Sequence, residues 1–250
     1  MAARTSKIVH FVRHGQAMHN PRAEAARAEG CSYERFLDLM REDDAPDAEL
    51  TPLGRGQAEE VRARVAGTAA FVGIDLVCAS TLSRALETAD LIFPPDAAPE
   101  IPRVPLDDLR EISGLLTNAK RRSRTELEAK FQGGGWQFSA LATEHDELWT
   151  PEELEPHAQV AERGYQALKW IWQRRERNVL VVAHGGIYHF LFKSPGHPCV
   201  TADPVTSARF HNCEFKSCRL EASSEDPLVF TIEVLSNGHT ACAGGGRPRL

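Results

Sequence analysis

Ile8-Val9-His10-Phe11-Val12-Arg13-His14-Gly15-Gln16, near the amino end, is an apolar run that stops abruptly on cationic residues and a glycine. The run reads as a buried β-strand over Lys7–Val12. Two later segments repeat the pattern. Ile74–Ala79 leads into Ser80-Thr81-Leu82-Ser83-Arg84, and Val179–Ala183 leads into His184-Gly185-Gly186. Helical patterns separate these strands, and such alternation predicts an α/β fold: a three-layer α/β/α arrangement around a mostly parallel sheet. With right-handed crossovers the strand ends fall on one edge of the sheet. Arg13, His14, Arg84 and His184 are therefore expected in one crevice.

The elements between the strands are legible from local chemistry. Helices are expected at about 22–29 and 33–41, the second with Phe36, Leu37 and Met40 on one face. Thr51 can cap a helix that starts at Pro52, a position that needs no amide donor, and that ends near Val65. A helix over Ser83–Ile92 stops before Pro94-Pro95. The strand signal at Ile101–Val104 is short. A long helix is expected from Pro151 to Arg177, then one at Gly186–Phe192, and strands Asn212–Leu220 and Leu228–Leu235 can pair as a hairpin. Residues 1–236 are read as one domain, with 112–150 as an irregular insertion or lid. Residues 237–250, rich in Gly, Pro and Arg, read as a disordered tail.

Bulk properties narrow the functional classes. A chain of 250 residues with 42% hydrophobic and 26% charged residues can bury a substantial core. A net charge of −6 argues against nucleic acid or an anionic membrane surface as the partner. Six cysteines without a CxxC pair suggest a reducing, cytoplasmic setting, with Cys78 a small core residue. Met1–Lys7 leaves no room for the apolar region of an export signal, and no apolar run reaches the length of a membrane span.

The converging residues suit phosphoryl transfer. A histidine can attack phosphorus if its ring is neutral, and neighbouring Arg13 and Arg84 disfavour its protonation. Arginine's planar fork binds phosphate oxygens in pairs and stays charged. The remaining requirement is a proton for the leaving oxygen, for which Glu111 in Asp108-Leu109-Arg110-Glu111 is the candidate. Gly15 and Gly185 allow close backbone approach. No residue cluster resembles a hard-metal site, so neither a metal nor another cofactor is expected. A zinc site built from His10, His14 and His19 is disfavoured, because His10 points away on a pleated strand.

These motifs in this order resemble the histidine phosphatase superfamily, in its phosphoglycerate mutase-like branch. The matching text is Arg13-His14-Gly15-Gln16 with Asn20, Leu50-Thr51-Pro52-Leu53-Gly54 with Gln57, Ser80 to Ala89, Leu109-Arg110-Glu111 and Ala183-His184-Gly185-Gly186. Asn212-Cys213-Glu214-Phe215 resembles plant and fungal members. The resemblance implies a phosphoglycerate mutase-like fold, with His14 as the phosphorylated nucleophile and Glu111 as the proton donor. Arg13, Arg84 and His184 would complete the phosphate pocket, and Asn20, Gly15, Gln16 and Gly185 would contact the substrate. Phosphoglycerate mutases carry an Arg-His-Tyr-Gly stretch and an extended lid shortly after the acid, whereas Ile112–Lys120 here reads Ile-Ser-Gly-Leu-Leu-Thr-Asn-Ala-Lys. The expectation is a metal-independent phosphomonoesterase for a small phosphorylated metabolite; a mutase and a non-catalytic phospho-ligand scaffold are the alternatives. The basic run Lys120–Arg124 reads as solvated surface, and Gly133–Gly135 as a flexible connector.

Overall fold

A computed structural model describes residues 6–193 and 196–238 of the chain. In chain order the elements are β1 (Ser6–Arg13), α1 (Pro21–Ala28), α2 (Tyr33–Glu42), α3 (Pro52–Val65), the single turn α4 (Ala69–Val72), β2 (Leu76–Ser80) and α5 (Ser83–Ile92). They continue with β3 (Arg103–Leu106), α6 (Arg124–Lys130), α7 (His157–Gln173), β4 (Asn178–Ala183), α8 (Gly185–Phe192), β5 (Val200–Ala202), β6 (Phe215–Ala222) and β7 (Phe230–Gly238). The strands form one sheet in the order β3-β2-β4-β1-β6-β7-β5. The β3-β2-β4-β1 half is parallel throughout, while β6 runs antiparallel to both β1 and β7.

Side-chain alternation along the central strands divides the core in two. Val9 and Phe11 of β1, Leu76 and Cys78 of β2, and Val179 and Val181 of β4 pack toward α7 and α8, against Leu168, Ile171 and Ile187. Their neighbours Val12, Val77, Ala79, Leu180 and Val182 pack toward α3 and α5, against Val61, Leu86 and Ala89. Both faces of the parallel half are thus covered, which explains why these strands are apolar at nearly every position.

Several boundaries differ from the sequence expectation. Helix α7 begins at His157 rather than Pro151. The residue before a proline disfavours helical geometry, and Glu155 instead donates its amide to the Ser113 carbonyl at 2.8 Å. Strand β6 begins at Phe215, because Cys213 adopts a left-handed φ of 54° and Glu214 turns back onto His211. The short strand β5 carries almost no pattern of its own. Strand β7 extends through Asn237 and Gly238, two residues into the expected tail, and 239–250, with Cys242, lie outside the described residues.

The basic run is solvated surface only in part: Lys120 is exposed, but its arginines are engaged. Arg121 is buried, pairs with Asp107 at 3.1 Å and donates to the carbonyls of Thr143, Glu144 and His145. Arg122 pairs with Asp47 at 2.9 Å, and Arg124 with Glu144 at 3.4 Å. Fully buried Arg110 adds a 2.5 Å bond to Asp146. These arginines fasten the segment between Glu111 and Thr150, which had read as irregular, to the body of the protein. Among the described residues, no helix is long and apolar enough to cross a membrane.

Helix α3 docks against the turn after β1 through two glycines. A Cβ on Gly54 would lie 2.1 Å from the Gln16 carbonyl oxygen, and one on Gly15 would lie 2.4 Å from the Gly54 oxygen. Gly54→Ala is expected to lower unfolding free energy by about 3 kcal/mol, since two backbones must separate. Gly56→Ala on the same helix, where nothing lies within 4 Å of the new methyl group, is expected to raise it by up to ~1 kcal/mol. Denaturant unfolding of the two variants checks both signs.

Candidate active site

The parallel register brings the two histidines together. Arg13 stands opposite Ala183 in the β1–β4 ladder, and His14 donates its amide to the Ala183 carbonyl at 3.0 Å. The next residues, His14 and His184, lie with ring centroids 4.9 Å apart. Arg84, in the first turn of α5 just beyond β2, reaches the same point from the other side of β4. Glu111 arrives from the segment that follows β3.

The backbone around His14 is held by several elements. The His14 carbonyl accepts from Asn212 Nδ2 at 3.0 Å, and the Gly15 amide donates to Thr88 Oγ1 at 3.1 Å. Gln57 Oε1 takes the Gln16 amide at 2.9 Å, and Thr51 donates its amide to the Gln16 carbonyl at 2.9 Å. The Asn212 and Leu50–Gln57 motifs therefore anchor the turn that carries His14.

The ring of His14 is buried and has a defined tautomer. Its Nδ1 lies 2.6 Å from the Gly15 carbonyl, which can only accept, so Nδ1 carries the proton. Arg84 Nε donates to Nε2 at 3.3 Å, so Nε2 presents a lone pair. Burial, then the charges of Arg84 and Arg13, hold His14 well below its ordinary value. The ring is neutral at neutral pH, as an attacking nitrogen requires.

Around this ring the cationic groups are buried and incompletely satisfied. Fully buried Arg84 gives Nη1 to the Asn118 carbonyl at 2.7 Å, and burial pulls its pKa down to about 10, which still leaves it charged. Arg13 pairs with Glu24 and donates to the Phe210 carbonyl at 3.2 Å. His184 Nε2 lies 2.7 Å from Ser80 Oγ. Arg13 Nε, Arg84 Nη2 and His184 Nδ1 are buried without a hydrogen-bond partner. Buried donors left in this way are costly. Their convergence on His14 makes a site suited to an oxyanion. Among the described residues, no group of three or more His, Cys, Asp and Glu is placed to hold a metal ion.

Glu111 faces the same cavity, with Oε1 accepting from the Ile112 amide at 3.0 Å and Oε2 from the Gly186 amide at 3.1 Å. A Cβ on residue 186 would fall 2.0 Å from Glu111 Oε1, so glycine is needed there. Arg163 of α7 sets the loop behind the carboxylate. It donates to the carbonyls of Asp108, Arg110 and Glu111 at 3.0–3.2 Å, and is itself held by Glu155 at 2.7 Å.

The other expected site residues divide. Asn20 and Gly185 line the cavity with Arg13, His14 and Glu111. The Asn20 amide is engaged locally, accepting from the Ala17 amide at 3.1 Å and donating to His19 Nε2 at 2.9 Å. Gln16 departs from its expected place: its side chain accepts from Thr51 Oγ1 at 2.9 Å and does not line the cavity, because docking of α3 turns it away. Arg84 and His184 are fully buried and do not themselves line the cavity. Sequence reading gave no site role to Ser80, Asn118, Arg163, Gly186 or buried His19, all placed by tertiary contacts. His10 bonds Ser217 and Asn178 at 2.8 and 2.7 Å, away from His14.

Residues 9–195 match the histidine phosphatase superfamily, branch 1. The chain belongs to that family. A phosphoglycerate mutase-like protein of Arabidopsis thaliana is 31% identical over 237 residues, covering 84% of this chain and 83% of that protein. Among solved structures, mycobacterial hydrolase 2 superposes with a TM-score of 0.54 at 20% identity, covering 94% of this chain and 91% of that one. The alpha-ribazole phosphatase of Shigella flexneri gives 0.51 at 19% identity, covering 91% and 95%. At these identities the superpositions bear on the fold alone.

The buried histidines of this branch 1 member make its stability pH-dependent. Burial, then Arg84, holds His184 well below its ordinary 6.5, and burial likewise lowers His19. On acidification the unfolded chain takes up protons near pH 6.5 that the folded chain refuses, so stability is lost as pH falls through that value. Each such histidine adds up to about 1.4 kcal/mol per pH unit to the slope. His184→Gln is expected to show a shallower fall in unfolding free energy between pH 7 and pH 5 than the natural protein. Chemical denaturation across that range checks this.

Proposed function

We propose that the protein is a metal-independent phosphomonoesterase that works through a phosphohistidine on His14. The observation that carries this reading is the neutral His14 ring, its Nε2 lone pair beside buried, unpartnered nitrogens of Arg13, Arg84 and His184. A phosphate dianion supplies acceptors for these groups, and the charge of Arg13 and Arg84 offsets the negative charge that gathers on the equatorial oxygens.

In the first step the Nε2 lone pair forms a bond to phosphorus as the ester P–O bond breaks. The leaving oxygen takes its electron pair and a proton from the Glu111 carboxyl. In the second step Glu111, now a carboxylate, accepts a proton from water, whose oxygen attacks phosphorus. The P–N bond breaks, its pair returns to Nε2, and inorganic phosphate leaves. Nδ1 keeps its proton throughout, fixed by the Gly15 carbonyl. Ile112–Lys120, unlike the Arg-His-Tyr-Gly stretch of mutases, supports hydrolysis over phosphoryl return.

His14→Ala is expected to lower phosphate release at least about a thousandfold. Glu111→Gln separates the acid's role. Alkyl phosphates, which leave as poor alkoxides, are expected to lose about 10²–10⁴-fold in kcat. p-Nitrophenyl phosphate, whose leaving group needs no proton, is expected to lose less than about tenfold. Equal losses on both substrates would contradict the assignment of Glu111.

A further inference from the structure

The cavity above His14 has a volume of about 450 Å³, within the range of sites that enclose a sizeable organic molecule. The phosphate-directed groups account for only part of its lining; His157, His189 and Glu24 contribute polar atoms elsewhere, and much of the remainder is apolar. Helix α2 supplies most of one wall. Phe36, Leu37 and Met40, spaced along one helical face, line the cavity, and Leu116, Leu154 and Phe190 line it from other segments. Helix α2 packs chiefly on α1, and its apolar side chains belong to neither core cluster. Phe36, Leu37 and Met40 are each half-buried. An amphipathic helix ordinarily spends its apolar face on the core; here that face is turned to the space where a leaving group must lie.

The wall is held in place rather than loosely draped. Asp44, just past the end of α2, accepts from the amide and side chain of both Thr117 and Asn118 at 2.7–2.9 Å. Those bonds tie the α2 end to the segment that carries Leu116 and to the carbonyl that holds Arg84. The apolar wall and the phosphate end are thus fixed relative to one another. The remaining cations of the lining, Arg27 and Arg209, are exposed, and Arg27 lies over the Phe36 ring at 4.7 Å. Arg27 extends the Phe36 face by stacking on it.

We propose that the substrate is a phosphomonoester of an extended apolar alcohol, whose hydrocarbon body packs between the α2 face and Leu116, Leu154 and Phe190 while its phosphate sits on His14. The proposal rests on the phosphatase reading above. It excludes a small polyhydroxy or carboxylate-bearing leaving group, which would leave the apolar wall wet.

The test compares n-hexyl phosphate with glycerol 3-phosphate. Both release a primary alkoxide, so the chemical step is matched and the ratio of kcat/KM reads recognition of the body. The hexyl ester is expected to be favoured at least tenfold, and Phe36→Ala with Met40→Ala is expected to reduce that ratio by about tenfold. A preference for glycerol 3-phosphate, or a ratio unmoved in the double variant, would overturn the proposal. Binding of n-hexylphosphonate against methylphosphonate, neither of which can be hydrolysed, is read in parallel by calorimetry. Tenfold tighter binding of the hexyl compound without turnover of any ester would refute the phosphatase reading and, with it, the substrate assignment, while showing that the apolar wall binds the hydrocarbon body. Equal binding would refute the substrate assignment whatever the turnover.

Discussion

The site depends on the hold placed on one short turn, His14-Gly15-Gln16, where β1 leaves the sheet. Ala183, Asn212, Thr88, Gln57 and Thr51 take up its backbone groups, and Gly54 presses against it closely enough to exclude any side chain on either glycine. With the backbone fixed, the Gly15 carbonyl stands where it can accept from Nδ1 of the preceding ring. That bond selects the tautomer and turns Nε2 toward Arg84. In the proposed reaction, loosening the turn would cost rotational precision at the atom that is to meet phosphorus in line, and reactivity is steeply sensitive to such misplacement.

The electrostatics follow from burial. Arg84 is fully buried and Arg13 nearly so, yet among the described residues the carboxylate paired with either is Glu24, which takes one end of Arg13. The protein therefore holds positive potential and unpartnered donors in a dry setting. The same surroundings keep His14, His19 and His184 uncharged. A bound dianion would reverse this preference by supplying the missing negative charge. The proposed affinity for phosphate and the neutrality of the proposed nucleophile thus trace to a single arrangement, and the expected loss of stability on acidification is its consequence in the free protein.

Much of this was legible in the sequence because the strands of the parallel half are nearly continuous apolar runs and each ends on a functional residue. The positions of β1, β2 and β4, the Thr51 cap and the approach of Arg13, His14, Arg84 and His184 all follow from that pattern. What was not legible depends on partners distant in sequence. Arg121 looks like solvated charge until carbonyls from Thr143 to His145 surround it. Arg163 carries no motif, and only the path of the Glu111 loop reveals its role. Gln16 sits inside a family motif, yet its side chain serves the docking of α3. Helix α7 begins late because Pro156 and the bond from the Glu155 amide to the Ser113 carbonyl outweigh a favourable helical composition.

The central claim, that Nε2 of His14 carries the transferred group, is tested most directly by rapid alkaline quench during turnover of a phosphomonoester, followed by isomer-resolved phosphohistidine analysis. The expected result is acid-labile phosphate on the Nε2 position of His14, formed and lost at rates compatible with turnover. Label on Nδ1, label on His184, or turnover with no labelled histidine would contradict the account.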